Sequence, residues 1–265
     1  MSNASAVLRL FSPGRLDVSV TTVSQLLDMP KSSASRLLKA MLEEGFLARV
    51  DGSAKYKVGN LLFEVARLYR LNSSLIGAAD EALSAVCGAT GHTGYISILD
   101  GSDVLVIRAH QGSHALRVFT PLGQRAPAFA TSTGRALLAR LNDADARTLC
   151  ADNFVPPSPN APQSIDHLVE LLARVRECGW SEAIDEAIPG VGSISTAVVD
   201  AESGERLSMC ISFPSSTTSQ SERNRIVTQL VAAARQVGAK FDDGFHSQHE
   251  FARLSSGSAA ALRTR

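Results

Sequence analysis

The chain has 265 residues, 45% hydrophobic and 20% charged, with 26 Lys/Arg against 26 Asp/Glu. That composition excludes wholesale disorder and a polyanionic or polycationic tail protein, and it leaves room for a small domain beside a larger one. No apolar run approaches the roughly 18–20 residues that span a bilayer, and residues 1–11 lack a long apolar leader, so a cytoplasmic location with no membrane partner is expected. The four cysteines, Cys87, Cys150, Cys178 and Cys210, are scattered without a C-x-x-C pair, the pattern of reduced structural thiols. The zero net charge conceals an asymmetry. Residues 1–71 hold ten Lys/Arg against six Asp/Glu, a surplus of four, so the remainder carries a deficit of four. A basic small domain joined to an acidic larger one is what a nucleic-acid reader carried by a different module looks like.

A short helix is predicted over residues 4–11 and stopped by Ser12–Pro13–Gly14. Residues 22–27 read as a second helix, Asp28–Met29 as a tight break, and residues 31–44 as a third. In that third helix Ala34, Leu37, Leu38, Met41 and Leu42 repeat at i, i+3, i+4, i+7, i+8, one apolar face. Lys31, Ser32, Ser33, Ser35, Arg36 and Lys39 fall on or beside the other face. Two helices across a short turn, the second showing hydroxyls and cations, have the form of a helix-turn-helix. Residues 46–50 and 55–58 alternate like strands around Asp51–Gly52–Ser53, a wing whose returning strand carries Lys55 and Lys57. Arg36 and Lys39 suit guanine edges or phosphates, the serines phosphates or base edges at a helix start, and the wing lysines backbone phosphates. The competing reading is a small-molecule sensor whose winged helix contacts protein. Residues 61–71, opened by Asn60, form a helix apolar on more than one side, which calls for burial against a neighbour such as a second copy.

Beyond a break at residues 72–74, a helix is predicted over 74–91, strands over 95–99 and 104–109 around Asp100–Gly101–Ser102, and a third strand over 116–119. Residues 121–127 read as a loop, 132–141 as a helix, and a short helix capped by Asn142 or Asp143 ends near Cys150. The proline-rich stretch 153–162 is irregular, and Ser164 caps a helix stopped by Gly179. Strands follow over 194–200 and 207–213, and Ser219-x-x-Glu222 is a capping box for the last helix. The fold class expected is α+β in two domains, with a central antiparallel sheet and flanking helices in the second. The domain limits expected are 1–59 for the winged helix-turn-helix, 60–72 for a linker helix, 73–243 for the larger domain and 244–265 for a disordered tail.

The stretch GQRAPAFATSTGR, residues 123–135, offers hydroxyls and backbone N–H groups at a helix start, the chemistry of anion binding, without a P-loop pattern. Strand periodicity puts Cys210 and Ser212 on one sheet face and Met209 and Ile211 on the other, so Ser193, Cys210 and Ser212 are candidates to line a ligand cavity. The alternative is a half-exposed sheet. The histidines show no ligand spacing. A weak set of Asp100, Asp103, His110 and His114 aside, no metal, no cofactor and no catalytic residue is expected, and the adjacent carboxylates Asp185 and Glu186 read as a solvated turn.

The order T-x-x-x-L-L-x-x-P-K-S-S-A-S-R-L-L-x-x-M-L-E-E-G-F-L, then Y-K-V-G-N-L-L, A-x-x-T-S-T-G-R-A-L-L-A and C-G-W…P-G-V-G-S-I-S-T-A-V-V-D resembles the IclR family of bacterial transcriptional regulators. The likeness runs from about residue 4 to 242. It implies a DNA-binding winged helix, a dimerising linker helix and a GAF-like domain that binds a small effector, commonly a carboxylate or aromatic acid. It also implies homodimers or dimers of dimers on a palindromic operator. Carried onto this chain, the effector residues would be Ser132, Thr133, Ala183, Ser193, Cys210 and Ser212. Ser193 stands where the family often has cysteine, and Ala183 where an acidic residue often meets the ligand. Both departures favour a larger or aromatic acid over one of glyoxylate size.

Overall fold

A computed structural model describes residues 2–12, 14–71 and 73–246, and the chain divides into two compact units, Met1–Ser73 and Ser74–Arg265. In the first unit, α1 (Ser2–Leu8), α2 (Val20–Leu26) and α3 (Lys31–Glu43) pack with a small sheet of β1 (Asp17–Val18), β2 (Leu47–Arg49) and β3 (Tyr56–Val58). Ser19 caps α2 by accepting the Thr22 amide. The break before α3 is locked: Asp28 takes φ 47°, and Ser24 accepts the Met29 amide at its carbonyl while donating its hydroxyl to the Met29 carbonyl. The apolar face of α3 is where periodicity places it, with Ala34, Leu38 and Met41 buried against Val7, Val18, Val23, Leu47 and Tyr56. Strand β1 is an addition to the sequence reading. Its two residues pair with β3, giving order β1-β3-β2, a contact too short to leave a periodic signal. Helix α4 (Asn60–Leu71) ends this unit.

The second unit is built on a six-stranded antiparallel sheet of order β6-β5-β4-β9-β8-β7: β4 (Thr93–Asp100), β5 (Asp103–His110), β6 (Arg125–Pro127), β7 (Ser181–Ile184), β8 (Val191–Val199) and β9 (Arg206–Pro214). One face, carrying Ile96, Ile194, Met209, Ile211 and Phe213, packs on α5 (Ser74–Thr90) and on α9 (Gln220–Lys240). Gly94 belongs to this face, where an added Cβ would lie 2.5 Å from Cys87 Sγ, so β4 and α5 meet only because that position has no side chain. The other face meets α6 (Ser132–Leu138), with α7 (Asp143–Ala151) and α8 (Ile165–Cys178) behind it.

Two strand expectations change. Residues 116–119 are not a strand: Leu116 and Phe119 are 62% and 77% exposed, and the Tyr95 hydroxyl takes the neighbouring polar groups, donating to Val118 O and accepting from Thr120 N. The sheet edge goes instead to Arg125–Pro127, placed in a loop by sequence, where a proline is tolerated because an edge strand leaves one row of amides unpaired. Strand β7 was also unforeseen. At the carboxyl end, His246 is buried with its Nε2 2.8 Å from Ala197 O, and Asp243 pairs with Arg140, so the packed chain reaches three residues into the expected tail. Residues 247–265 of that tail lie outside the described residues.

Candidate functional site

The solvent side of α3 is polar from end to end: Lys31, Ser32, Ser35, Arg36 and Lys39 are exposed and Ser33 is half-buried. Lys39 sits 3.7 Å from Glu43, one helical turn on, a surface pair of little energy that leaves the amine available. No ion pair is recorded for Arg36 among the described residues, and its guanidinium projects from a helix whose reverse side is anchored in the core. On the wing, Lys55 and Lys57 are both exposed, and among the described residues Lys55 is paired, 3.0 Å from Asp17, while Lys57 is not. Arg49, absent from the sequence candidates, adds a further exposed cation. Its guanidinium lies 4.2 Å over the Tyr56 ring and donates to Ala54 O at 3.0 Å, which fixes it on the wing. Period 2 puts Arg49 on the same face as the buried Leu47, so strand alternation gave no signal for an exposed cation here.

In the second unit the ladder registers place the polar residues in two rows across four strands. Ala183, Ser193, Ser212 and Thr93 face one another across β7, β8, β9 and β4. Ser181, Ser195, Cys210 and Tyr95 form the adjacent row on the same side. This hydroxyl face is buried except at the half-buried Ser193, and α6 lies against it: Ser132 Oγ is 2.7 Å from both Ser193 Oγ and Ser195 Oγ, and Thr133 Oγ1 is 3.2 Å from Ser195 Oγ. Cys210 Sγ and Ser212 Oγ are 3.6 Å apart. Five of the six candidate residues therefore lie in one cluster of hydroxyl and thiol groups, and Ala183 closes its β7 edge with a methyl group. Ser195 was missed, although it is two residues from Ser193 and must share its face.

The helix start that carries Ser132 differs from expectation in one respect. Thr131 Oγ1 already accepts the Gly134 amide at 2.9 Å, so that donor is spent on the cap rather than free for an anion. The seven-residue α6 is pressed so closely on the preceding 3₁₀ turn, Ala128–Ala130, that a Cβ at Gly134 would lie 2.1 Å from Ala128 O. Beside it, Arg135 is 2% exposed and fully engaged: Nη1 and Nη2 meet Glu186 at 2.5 and 2.9 Å, Nη2 donates to Glu182 O, Nη1 to Phe129 O and Nε to Ser181 Oγ. Glu186 is thus the counter-ion of a buried arginine rather than half of a solvated turn. Asp185 has a separate task, accepting the Gly190 amide and the Ser215 hydroxyl at 2.7 Å each with φ 55°. The metal set Asp100, Asp103, His110 and His114 is not gathered. The aspartates sit at the β4–β5 turn, whereas His110 ends β5 and is 3.0 Å from Asp80. Burial raises the thiol pKa of Cys87, to about 12, and those of Cys150 and Cys178, the environment of unreactive thiols.

A winged helix with a free cationic face, followed in one chain by a sheet domain with a buried polar face, is the composition of a ligand-responsive transcriptional regulator. Two family models match: the IclR helix-turn-helix domain over residues 2–51 and the bacterial transcriptional regulator IclR C-terminal domain over residues 69–239. The chain belongs to the IclR family, and it is a transcriptional regulator with a helix-turn-helix DNA-binding domain and a C-terminal effector domain. It is similar to the HTH-type transcriptional regulator KdgR of Escherichia coli, 28% identical over 92% of this chain and 94% of that one. It is also similar to the transcriptional repressor IclR of Escherichia coli, 26% identical over 83% and 81%. Among solved structures, an IclR homolog of Microbacterium hydrocarbonoxydans complexed with 4-hydroxybenzoate has the same fold, at TM-score 0.74 and 19% identity over 91% of this chain and 98% of that one. The regulator of Alicyclobacillus acidocaldarius gives a TM-score of 0.80 at 22% identity over 90% and 96%. No helix among the described residues is long and apolar enough to cross a membrane.

Proposed function

We propose that this regulator binds a palindromic operator as a cytoplasmic homodimer or dimer of dimers, under control of a small organic acid, aromatic in preference to two-carbon. The observation that carries the DNA half is the polar α3 face, with Lys31, Ser32, Ser35, Arg36 and Lys39 exposed and Ser33 at its half-buried flank, on a helix braced by the turn and wing. Arg36 and Lys39 read base edges in the major groove, the serines orient the helix start on phosphates, and Lys55 and Lys57 meet the backbone. Self-association is supported by α4, whose Phe63 and Val65 are 73% and 54% exposed in the single chain. Two copies related by a twofold axis require an operator with the same symmetry.

The effector rests against Ser132, Thr133, Ser193, Cys210 and Ser212, with Ala183 at the rim. The adjacent buried cation is Arg135, and Glu186 neutralises it, so a carboxylate here is held by hydroxyls rather than by charge. An aromatic ring then supplies the apolar contact that the alanine edge favours, in keeping with the 4-hydroxybenzoate held by the Microbacterium homolog. Control of operator affinity requires that the acid bind the DNA-competent and DNA-incompetent states unequally.

Gel shifts with the region upstream of the regulator's own gene, over a salt series, test the DNA half. Specific retardation that weakens with salt is expected, and equal affinity for unrelated DNA overturns it. Calorimetry with a panel of aliphatic and aromatic acids tests the other half. Binding confined to two-carbon acids sinks the aromatic preference.

A further inference from the structure

On the reverse of the effector sheet, three side chains far apart in the sequence meet at one corner: His92 ahead of β4, His114 in the loop after β5, and Glu222 in the first turn of α9. His92 Nε2 is 3.0 Å from Glu222 Oε1 and His114 Nε2 is 3.8 Å from the same oxygen. One ligand atom from each of the three lies within 4.8 Å of the other two. The imidazole rings face each other at 4.5 Å, tilted by 38°. The capping-box pattern is only half used here. Ser219 Oγ accepts the Glu222 amide, but the Glu222 carboxylate is turned to His92 instead of back to the helix start. Gly91, at φ 74°, makes the approach possible, because a Cβ there would lie 2.8 Å from His114 Nε2.

We propose that His92, His114 and Glu222 form a binding site for a divalent transition-metal ion of the zinc type. Two imidazoles and one carboxylate are a set that zinc accepts with a fourth position open to water, whereas Mg²⁺ and Ca²⁺ prefer oxygen ligands throughout. Bonds of about 2 Å in a tetrahedron set the ligand atoms about 3.3 Å apart. The two Glu222 distances bracket that value, and closure falls mainly on His114. His114 is the ligand with more freedom to move: its side chain is 46% exposed, and the Nε2 contact at 3.2 Å to Thr90 O is released on binding. His92 is 5% exposed and held edge-on to Phe213, a preset ligand. The positive charge nearby is Arg225, whose guanidinium donates to Ala89 O at 3.1 Å, so affinity is expected below that of a closed thiolate site. A bound ion ties the loop of residues 111–120 to α9, and that same loop meets the hydroxyl of Tyr95 on the effector face through Val118 and Thr120.

The test uses the full chain, free of affinity tags and stripped with a chelator, titrated with Zn²⁺ by calorimetry and with Co²⁺ by visible absorption. One equivalent is expected, with the intense ligand-field bands of low-coordinate cobalt. His114→Ala and Glu222→Gln should each weaken binding by more than about tenfold. His114 is half-exposed, and Glu222→Gln keeps the helix cap because Ser219 bonds the residue 222 amide, so both variants should fold. His167→Gln, on a different helix, is the control and should bind as the parent does. No saturable binding, or binding unaltered in both variants, overturns the assignment.

Discussion

In the smaller unit the polar groups of interest fall within one helix and one hairpin, between Lys31 and Lys57, and all but Ser33 are exposed. In the larger unit they come from four strands and a seven-residue helix, and they are mostly buried. The exposed set needs no buried partner, because water and counterions can satisfy it, and on the proposed reading DNA takes their place. The buried set must be satisfied at all times. Its hydroxyls bond one another through Ser132, and the arginine of the TSTGR turn is matched by Glu186. An effector that rests on this cluster, as proposed, must therefore displace an existing network, whereas an operator on the proposed α3 face displaces solvent, ions and weak surface pairs. Substitutions should accordingly cost folding in the larger unit and binding in the smaller one.

The largest effect expected is from Glu186→Ala. It leaves the Arg135 guanidinium, 2% exposed, without its counter-ion, and removing one member of a buried pair costs about 3–5 kcal/mol. Urea melts should show the loss in the transition of the larger unit alone. A loss below about 1 kcal/mol would mean that Glu182 O and Phe129 O suffice to hold the charge, and the contrast between the units would weaken.

Asp243→Asn should cost less, about 1.5–3 kcal/mol: the charged contacts to Arg140 are lost, and the single amide oxygen accepts from only one of Val199 N and Phe245 N, which bond different carboxylate oxygens. Its signature is in pH. Burial pushes the Asp243 carboxyl up, but the hydrogen bonds and charge of Arg140, with the Val199 and Phe245 amides, outweigh it and hold the pKa below the ordinary carboxylate value. A folded pKa below the unfolded one gives stability that is complete above the unfolded value and lost as pH falls through the folded value. Stability of the parent should decline through that acid window, and the asparagine variant should lack this part of the decline. Parallel acid limbs in the two proteins would rule out the pair as the source.

The same contrast explains what could be read from sequence. Helix α3 was legible to within a residue because its five apolar positions and its cationic face all lie in thirteen residues. The caps at Ser19, Asn142, Ser164 and Ser219 are each local to three residues: Ser164 and Ser219 are read directly, Asn142 as one of two adjacent choices, and Ser19 not at all. The pairing of Arg135 with Glu186 spans 51 residues and that of His92 with Glu222 spans 130, and no spacing rule covers such distances. Strand edges failed for a related reason. Residues 116–119 read as a strand, yet the Tyr95 hydroxyl, some 23 residues away, takes their polar groups, and Arg125–Pro127 wins the edge. Ser195 is different: its signal was present, two residues from Ser193, and needed only the period-2 rule already applied to Cys210 and Ser212.

For the smaller unit the expectation is binding loss without unfolding. Arg36→Ala should weaken specific operator binding by about 1–3 kcal/mol while leaving the urea midpoint in place, since the side chain is exposed and supports no core contact. Fluorescence anisotropy on operator and on scrambled duplex separates the possibilities. Equal losses on both would move Arg36 from base reading to phosphate contact.

The smallest effect distinguishes the two wing lysines, which look alike in sequence. Lys57 has no ion pair recorded among the described residues, whereas Lys55 lies 3.0 Å from Asp17 with both side chains partly in water. A phosphate contact by Lys57 releases about one counterion, so Lys57→Ala should flatten the plot of log affinity against log salt by about 0.9 on any duplex. Lys55 must share its charge with Asp17, and Lys55→Ala should flatten the plot by less. Asp17→Asn then gives the reverse sign: it frees Lys55, removes a negative charge from the DNA-facing edge and should steepen the salt dependence while tightening binding to every sequence alike. If Asp17→Asn weakens binding instead, the carboxylate is aiming the Lys55 amine rather than competing for it. The wing would then be a preorganised contact, resembling the buried network of the larger unit more than the open face of α3.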